Sequence, residues 1–447
     1  MSQPHQPVTD DSRDEASPND FNALPPSLTH EATSRFVAYR NDAIATIRSE
    51  FPTLAKHING KPIHYLDSAN SSHKPNRVID AMSTFMREAY APIGRSSYTL
   101  AAEASAVYEA ARTKVAKFIN AYSPREVVFT KNATESLNLV AQAWGRSNLG
   151  KGDAILLTHM EHHANIVPWH MLAKEKGFEI RWVPITKDFQ LDLTSIHQLL
   201  RGVKAFSFTS MSNVLGTINP IRELCDAAHA AGAIAIVDGC QSVPHMVTDV
   251  KAMGADMLAF SSHKMCGPTG VGVLWAREAL LEAMPPFLGG GRMISEVSLD
   301  GFTYAELPYK FEAGTPPIVE VIGLGAAIDF LNAIGMNKIR EHEIKLTNYA
   351  YNALTKRYGD DIVVHGPTSP ELRGATFSFA FRDVHPHDVS QVLDQHNICV
   401  RAGHHCAKPL MRLIGASATV RASMYLYSNE TDVDALVEAL ADVNAIF

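Results

Sequence analysis

The chain has 447 residues, 46% of them hydrophobic and 19% charged, the proportions of a globular protein with a sizeable core. Its formal net charge of −7 argues against nucleic acid or an anionic membrane surface as a partner. The length sets a prior of about two to three domains, and the apolar run over 230–237 is too short to span a bilayer.

Residues 1–30 are rich in Pro, Ser, Asp, Asn and Gln and poor in apolar side chains. Such a segment cannot bury enough surface to offset the entropy of ordering, so a disordered tail is expected. The tail lacks an apolar signal core and carries Asp10, Asp11, Asp14, Glu15 and Asp20, which argues against a secretory or organellar leader. The five cysteines are odd in number, scattered and never in a CxxC pair, which disfavours a disulfide framework and a structural zinc site. A reducing compartment, the cytoplasm, fits that usage. A helix is expected over 35–50, ending before Phe51-Pro52.

From residue 60 onward, short apolar runs alternate with helical segments. Strands are expected over 126–130, 154–158, 205–209, 233–237 and 257–260. Each is nearly all apolar, as in a mostly parallel sheet covered on both faces. Helices over 135–144, 167–176 and 221–231 lie between them, which makes an α/β layered domain. Polar or ionisable groups follow every run: Asn132-Ala133-Thr134, Glu161-His162-His163, Ser212-Asn213, Asp238-Gly239-Cys240-Gln241 and Ser261-Ser262-His263-Lys264. Ligands of open α/β sheets bind beyond the carboxyl ends of the strands. The alternation breaks after Gly289-Gly290-Gly291, and a second, smaller α+β domain is expected from residue 314. It would hold helices over 319–334, 337–358 and 433–447 and strands over 375–381, 398–401 and 419–424.

Lys264 follows an apolar run and precedes the glycine-rich turn Cys266-Gly267-Pro268-Thr269-Gly270. A lysine at a sheet's carboxyl edge is partly desolvated, which frees its amine for a Schiff base; a solvated surface charge is the bland alternative. Asp238 is a helix cap, a metal ligand, or the carboxylate that pairs with the protonated ring nitrogen of pyridoxal phosphate, whose hydroxyl Gln241 would then reach. Asn132 and the turn Ala133-Thr134 read as an N-cap, and also as a phosphate cradle of backbone N–H groups and the Thr134 hydroxyl, with Ser261 and His263 as further contacts.

His159, His162 and His163 spell HxxHH, but no acidic or thiol set at ligand spacing completes a metal site, so no metal is expected. His162 stacked on a flat aromatic cofactor is preferred over a histidine bonded within a turn. Cys406 is preceded by Arg401, His404 and His405 and followed by Lys408. Cationic or ionisable neighbours raise a thiol's thiolate fraction. Cys266, near His263 and Lys264, shares that feature in part, whereas Cys240 and Cys399 read as structural. Arg421 lies within an apolar strand and needs a partner, either a substrate carboxylate or an internal acid.

Together these residues resemble the fold-type I, pyridoxal phosphate-dependent cysteine desulfurases of the class V aminotransferase family, and within them the SUF-type, group II branch. The resemblance runs from Tyr65-Leu66-Asp67-Ser68-Ala69 to the C-terminus. It is carried by Met160-Glu161-His162-His163-Ala164-Asn165, Ser212-Asn213-Val214-Leu215-Gly216-Thr217, Ser262-His263-Lys264, Phe311-Glu312-Ala313-Gly314-Thr315-Pro316 and Arg401-Ala402-Gly403-His404-His405-Cys406-Ala407. It implies a large cofactor-binding domain over 61–313, a small domain over 314–447 carrying the nucleophile loop, and an N-terminal helix over 31–60 packing on the small domain.

It also implies roles. Lys264 would hold the cofactor by a Schiff base and move the Cα proton. His162 would stack on the ring, Asp238 would meet its nitrogen and Gln241 its hydroxyl. Ala133, Thr134, Ser261 and His263 would hold the phosphate, joined by Thr315 from the partner subunit of a homodimer. Asn213 would lie near cofactor and substrate, and Arg421 with Arg401 would bind the carboxylate of L-cysteine. Cys406 would take the sulfur as a persulfide, L-alanine would leave, and the sulfur would pass to an acceptor for iron–sulfur cluster assembly. Val384-His385-Pro386-His387-Asp388-Val389 resembles the branch served by a zinc-containing, SufU-like acceptor, with His387 at the contact.

The sequence departs from that family at Gly94-Arg95-Ser96-Ser97-Tyr98-Thr99-Leu100, where relatives read His-Arg-Gly-x-His-Thr-Leu, and at Cys240, where relatives carry alanine. A selenocysteine lyase or another class V aminotransferase is the nearest alternative reading. A metal-binding sulfur carrier, with the His-His-Cys run as ligands, is the alternative from a different class.

Overall fold

The apolar runs are strands of a seven-stranded sheet in the computed structural model, which describes residues 43–94 and 96–447. The expected tail over 1–30, the first part of the expected helix over 35–50, and Arg95 lie outside the described residues. The strands are β1 Val127–Thr130, β2 Ala154–Thr158, β3 Glu179–Val183, β4 Val203–Thr209, β5 Ile234–Asp238, β6 Met257–Ser261 and β7 Gly272–Ala276. Their order is β1-β7-β6-β5-β4-β2-β3. All neighbours from β6 to β3 pair in parallel, and only β7 runs against its neighbours. Every residue of β1, β2, β6 and β7 is buried, as apolar strands sandwiched between helices must be. Side chains such as Ile155, Leu157, Ile236 and Leu274 share one core with Trp169 and Leu172 of the covering helix Val167–Lys176.

A second, antiparallel sheet holds β8 Ile362–His365, β9 Thr376–Phe381, β10 Arg401–Gly403 and β11 Thr419–Ser423 in the order β8-β9-β11-β10. Its core packs on helices Met336–Tyr358, Pro386–Gln395 and Glu430–Ile446. The strand expected over 398–401 is divided. Ile398–Cys399 pairs in parallel with His64–Tyr65, and the chain then enters β10. The cause is local competition, because His64 and Leu66 donate their N–H groups to Asn397 and Cys399.

Helix Ile318–Ile334 is apolar and largely buried, packing on Asn76–Glu88 and Thr99–Phe118. No single described helix is long and apolar enough to cross a membrane. Near the N-terminus, Ala43–Ser49 is helical, and Arg48 donates to the Asp432 carboxylate and the Tyr427 carbonyl. The described residues hold together as one compact unit.

Candidate active site

A cavity of about 250 Å³ opens beyond the carboxyl ends of the main sheet. Each strand that ends there contributes to it: Ala133 and Thr134 after β1, His162 after β2, Asn213 after β4, Asp238 and Gln241 at and after β5, and Ser261, His263 and Lys264 at and after β6. Arg401, Cys406 and Arg421 complete the wall from the second sheet and its following loop. Thr315 and His387 are exposed and do not line the cavity.

Lys264 sits on the one-turn helix Ser262–Lys264 that ends β6, and its amine makes no hydrogen bond or ion pair with the described residues. Asp238 is buried and accepts a hydrogen bond at Oδ1 from the Cys240 N–H at 3.0 Å, with no cation in ion-pair range among the described residues. A buried carboxylate without a positive partner is costly, so this site suits a ligand that brings a cationic N–H. Gln241 Nε2 donates to the Ala69 carbonyl at 2.8 Å.

The His162 ring accepts at Nδ1 from the Ala164 N–H at 3.1 Å, so its own proton sits on Nε2. Burial first, then the Lys264 charge, pushes the imidazole down to about 4, so its face in the cavity is neutral. The bonded-turn reading therefore holds for this residue, and its neutral ring also lines the cavity. His159 stacks on Trp182 and His163 turns to the Lys408 N–H, so the three histidines of the HxxHH run point to different partners. Among the described residues no three His, Cys, Asp or Glu side chains are gathered as metal ligands.

Asn132 caps the helix that starts at Ala133, with Oδ1 accepting from the Glu135 N–H at 3.0 Å, and the Ala133 N–H donates to Ser261 Oγ at 2.9 Å. This cap lies against Gly272 of β7, where an added Cβ would come within 2.4 Å of the Asn132 Cα. The cradle of Ala133, Thr134, Ser261 and His263 carries no acid, as a phosphate pocket requires.

Arg421 is buried, with Nη1 donating to the Asn213 carbonyl at 3.0 Å and Nη2 to Asp67 Oδ1 at 3.1 Å. The internal acid considered as its partner is therefore present. Each Nη nitrogen still carries a second N–H. Arg401 donates to Asn70 Oδ1 at 2.7 Å and lies 3.9 Å from Cys406 Sγ.

His405 and Cys406 both have left-handed backbones, with φ of 52° and 56°. Two successive non-glycine residues in that region store strain, which is a mark of functional loops. The loop is clamped where the His163 N–H donates to the Cys406 carbonyl at 2.7 Å and Asn213 Nδ2 donates to the His405 carbonyl at 2.7 Å. The expected charge around the thiol comes from Arg401 and not from His405. Burial, then the Arg421 and Arg401 charges, pushes His405 down to about 3, so it is neutral. Cys266 is buried and its thiol is pushed up to about 12, which makes it inert. Cys240 lines the cavity, and burial raises its thiol above the ordinary range. All five cysteines are free.

Three groups escaped the sequence reading. Asp67 and Asn70 supply the partners of the two arginines. Lys74 reaches the His263 carbonyl at 3.0 Å, at the peptide joining His263 to Lys264. The available signal was the small, polar run Ser68-Ala69-Asn70-Ser71-Ser72 after Asp67.

A family model, aminotransferase class-V, matches residues 64–436. A protein of Streptomyces coelicolor named "Probable cysteine desulfurase" is 50% identical over 407 residues, 90% of this chain and 97% of that one. The apo cysteine desulfurase of Thermococcus onnurineus superposes with a TM-score of 0.86 at 36% identity, covering 91% of this chain and 99% of that one. The cysteine desulfurase CsdA of Escherichia coli superposes with a TM-score of 0.84 at 37% identity, covering 92% and 100%.

Proposed function

The chain belongs to the class-V aminotransferase family, and from that premise we propose that it is a pyridoxal 5′-phosphate-dependent cysteine desulfurase. It converts L-cysteine to L-alanine and retains the sulfur on Cys406. The observation that carries this reading is that Lys264 and Cys406 line one cavity, the first from the main sheet and the second from the loop after β10.

When bound, pyridoxal phosphate withdraws electrons from the substrate's Cα and so makes its Cβ–S bond breakable. Lys264 would hold the cofactor's aldehyde carbon and move the proton at Cα. The neutral His162 ring would lie on the cofactor face, Asp238 would accept from its ring nitrogen, and Gln241 would bond its hydroxyl. Ala133, Thr134, Ser261 and His263 would hold its phosphate. Arg421 and Arg401 would fix the substrate carboxylate, with Asn213 beside it. Cys406 Sγ would attack the substrate sulfur as a thiolate: an S–S bond forms, the C–S bond breaks, and one proton ends on the alanine methyl carbon.

The finer assignment is to the SUF-type, group II branch, supported by the short Arg401–Cys406 loop. There the persulfide supplies iron–sulfur cluster assembly in the cytoplasm, which suits five unpaired thiols. Thr315, exposed and away from its own cavity, would reach the cavity of a second copy in a homodimer. His387, exposed and stacked on His385 at a helix start, would meet a SufU-like zinc acceptor.

The test is alanine release from L-cysteine together with mass spectrometry of Cys406, for wild type and Cys406→Ala. One alanine per sulfur retained, with both lost in the variant, supports the reading. Undiminished turnover in Cys406→Ala would replace it with a lyase or aminotransferase.

A further inference from the structure

The segment that carries Cys406 has an unusual charge balance. In a chain of net charge −7, no Asp or Glu occurs between Asp394 and Glu430, while Arg401, Lys408, Arg412 and Arg421 do. Arg401 and Arg421 face the cavity. Lys408 and Arg412 are exposed on the short helix after Cys406, and neither has an ion-pair partner among the described residues. Exposed cations left unpaired on an acidic protein are a footprint for an anionic partner.

Exposed apolar side chains lie on the helix that carries these cations and on the helix that follows His163. Val167 and Met171, one turn apart on the helix Val167–Lys176, are 49% and 60% exposed, and Leu413 is 53% exposed. His163, in the turn that leads into the helix Val167–Lys176, is tied to the Cys406 loop and to the start of the Lys408–Leu413 helix. Its N–H donates to the Cys406 carbonyl at 2.7 Å, and its Nε2 accepts from the Lys408 N–H at 3.0 Å. Val167 begins the helix four residues later. Burial, then the charges of Lys408 and His404, pushes the His163 imidazole down, as expected where those groups converge. The Cys406 loop thus leads into a helix exposing Lys408, Arg412 and Leu413, and through His163 it is linked to the turn before the helix that exposes Val167 and Met171.

We propose that Lys408 and Arg412, with Leu413 on the same helix and Val167 and Met171 on the helix reached through His163, form the docking surface of the protein that accepts sulfur from Cys406, and that this acceptor offers its thiol from an acidic face with apolar neighbours. The inference rests on the desulfurase reading, because it is the outer sulfur of the Cys406 persulfide that must be handed on. The acceptor's thiolate forms a new S–S bond to that outer sulfur while the bond to Cys406 Sγ breaks. The bonding pair stays on Sγ, which leaves as a thiolate. The acceptor becomes the persulfide, and no electrons are gained or lost overall.

Holoenzyme charged with sulfur from L-cysteine is discharged with two synthetic peptides, one with a single Cys among Glu and Leu residues, the other with Lys in place of Glu. The acidic peptide should discharge Cys406 about tenfold faster at low salt, with the advantage shrinking once the Debye length falls to about 3 Å near 1 M salt. The variant Arg412→Glu should abolish that preference and keep the wild-type rate of persulfide formation from L-cysteine. Discharge by dithiothreitol, which carries no charge, should be unaltered and so reports that the variant is folded. Equal rates for the two peptides with wild type, or a preference that survives the charge reversal, overturns the docking surface alone. Absence of any persulfide on wild-type Cys406 overturns the desulfurase reading and the docking surface with it.

Discussion

Arg401 and Arg421 are direct partners across the β10–β11 ladder, and both line the cavity. Like charges placed opposite one another on a sheet repel. Arg421 is also held below its ordinary range, by burial first and with the Arg401 charge adding to it. Asp67 balances one cation, and Arg401 has only the neutral amide of Asn70. Among the described residues the pair is one negative charge short, and under the proposed function a substrate carboxylate would supply it.

Replacing Arg401 by Gln should therefore act on substrate binding. A hydrogen bond to a charged group contributes about 1.5–3 kcal/mol, so kcat/KM for L-cysteine should fall by about ten- to a hundredfold, with KM raised. Inhibition by the product L-alanine, which carries the same carboxylate, should weaken in parallel. Unchanged alanine inhibition would move the carboxylate away from this arginine.

Acid should unfold the protein through its buried histidines. His162 and His263 are each pushed down to about 4 and His405 to about 3, by burial in every case and then by neighbouring cations. An unfolded chain binds these protons near pH 6.5 while the native state refuses them. Their contribution is complete above about 6.5 and is lost as pH falls toward 4. Each histidine steepens the fall by up to about 1.4 kcal/mol per pH unit. Urea unfolding between pH 7 and 5 should show a multi-proton slope, and His263→Asn should flatten it by about one proton. A slope that the variant leaves unaltered would mean that His263 already carries its proton in the native state.

The parts legible in the sequence are those with a local pattern. The parallel strands announce themselves as apolar runs, and Lys264, Asp238 and His162 follow from their positions at strand ends. β3 escapes because Glu179 and Arg181 interrupt it, as an edge strand partly open to water permits. β7 escapes because a glycine-rich turn leads directly into it, although its residues are as buried as those of β6. Asp67, Asn70 and Lys74 find their partners 354, 331 and 189 residues away. Nothing local marks such residues, because only the folded chain brings the first strand-end loop under both arginines and the lysine turn.

Gly272 should prove as sensitive as the cofactor ligands. A methyl group there overlaps the Asn132 backbone, so Gly272→Ala must move the cap that aims Ala133 and Thr134 into the cavity. Overpacking of this kind costs about 1–3 kcal/mol of stability. The sharper expectation is faster loss of pyridoxal phosphate on dialysis, followed by its visible absorbance, with secondary structure retained in the circular dichroism spectrum. Retention equal to wild type would show that the Asn132 turn does not bear on cofactor binding.

Lys74 offers a test of how the lysine turn is held. The His263 carbonyl accepts from the Ser72 N–H at 3.0 Å, from Ser72 Oγ at 3.1 Å, from Ser71 Oγ at 3.2 Å and from Lys74 Nζ at 3.0 Å. These donors fix the peptide that precedes Lys264. Burial pushes the Lys74 amine down to about 8 from its ordinary 10.5. Below pH 8 the native state must carry that charge in a partly desolvated place, while an unfolded chain keeps it in water. The contribution of Lys74 is thus complete above about 10.5 and is lost as pH falls through about 8. Wild type should gain stability relative to Lys74→Met between pH 8 and 10, as measured by urea unfolding at the two ends of that range. The same variant should bind pyridoxal phosphate more weakly at neutral pH, because the carbonyl beside Lys264 loses a donor. A stability gap independent of pH would show that Lys74 is fully solvated, and a wild-type cofactor affinity would show that the serines hold the turn without it.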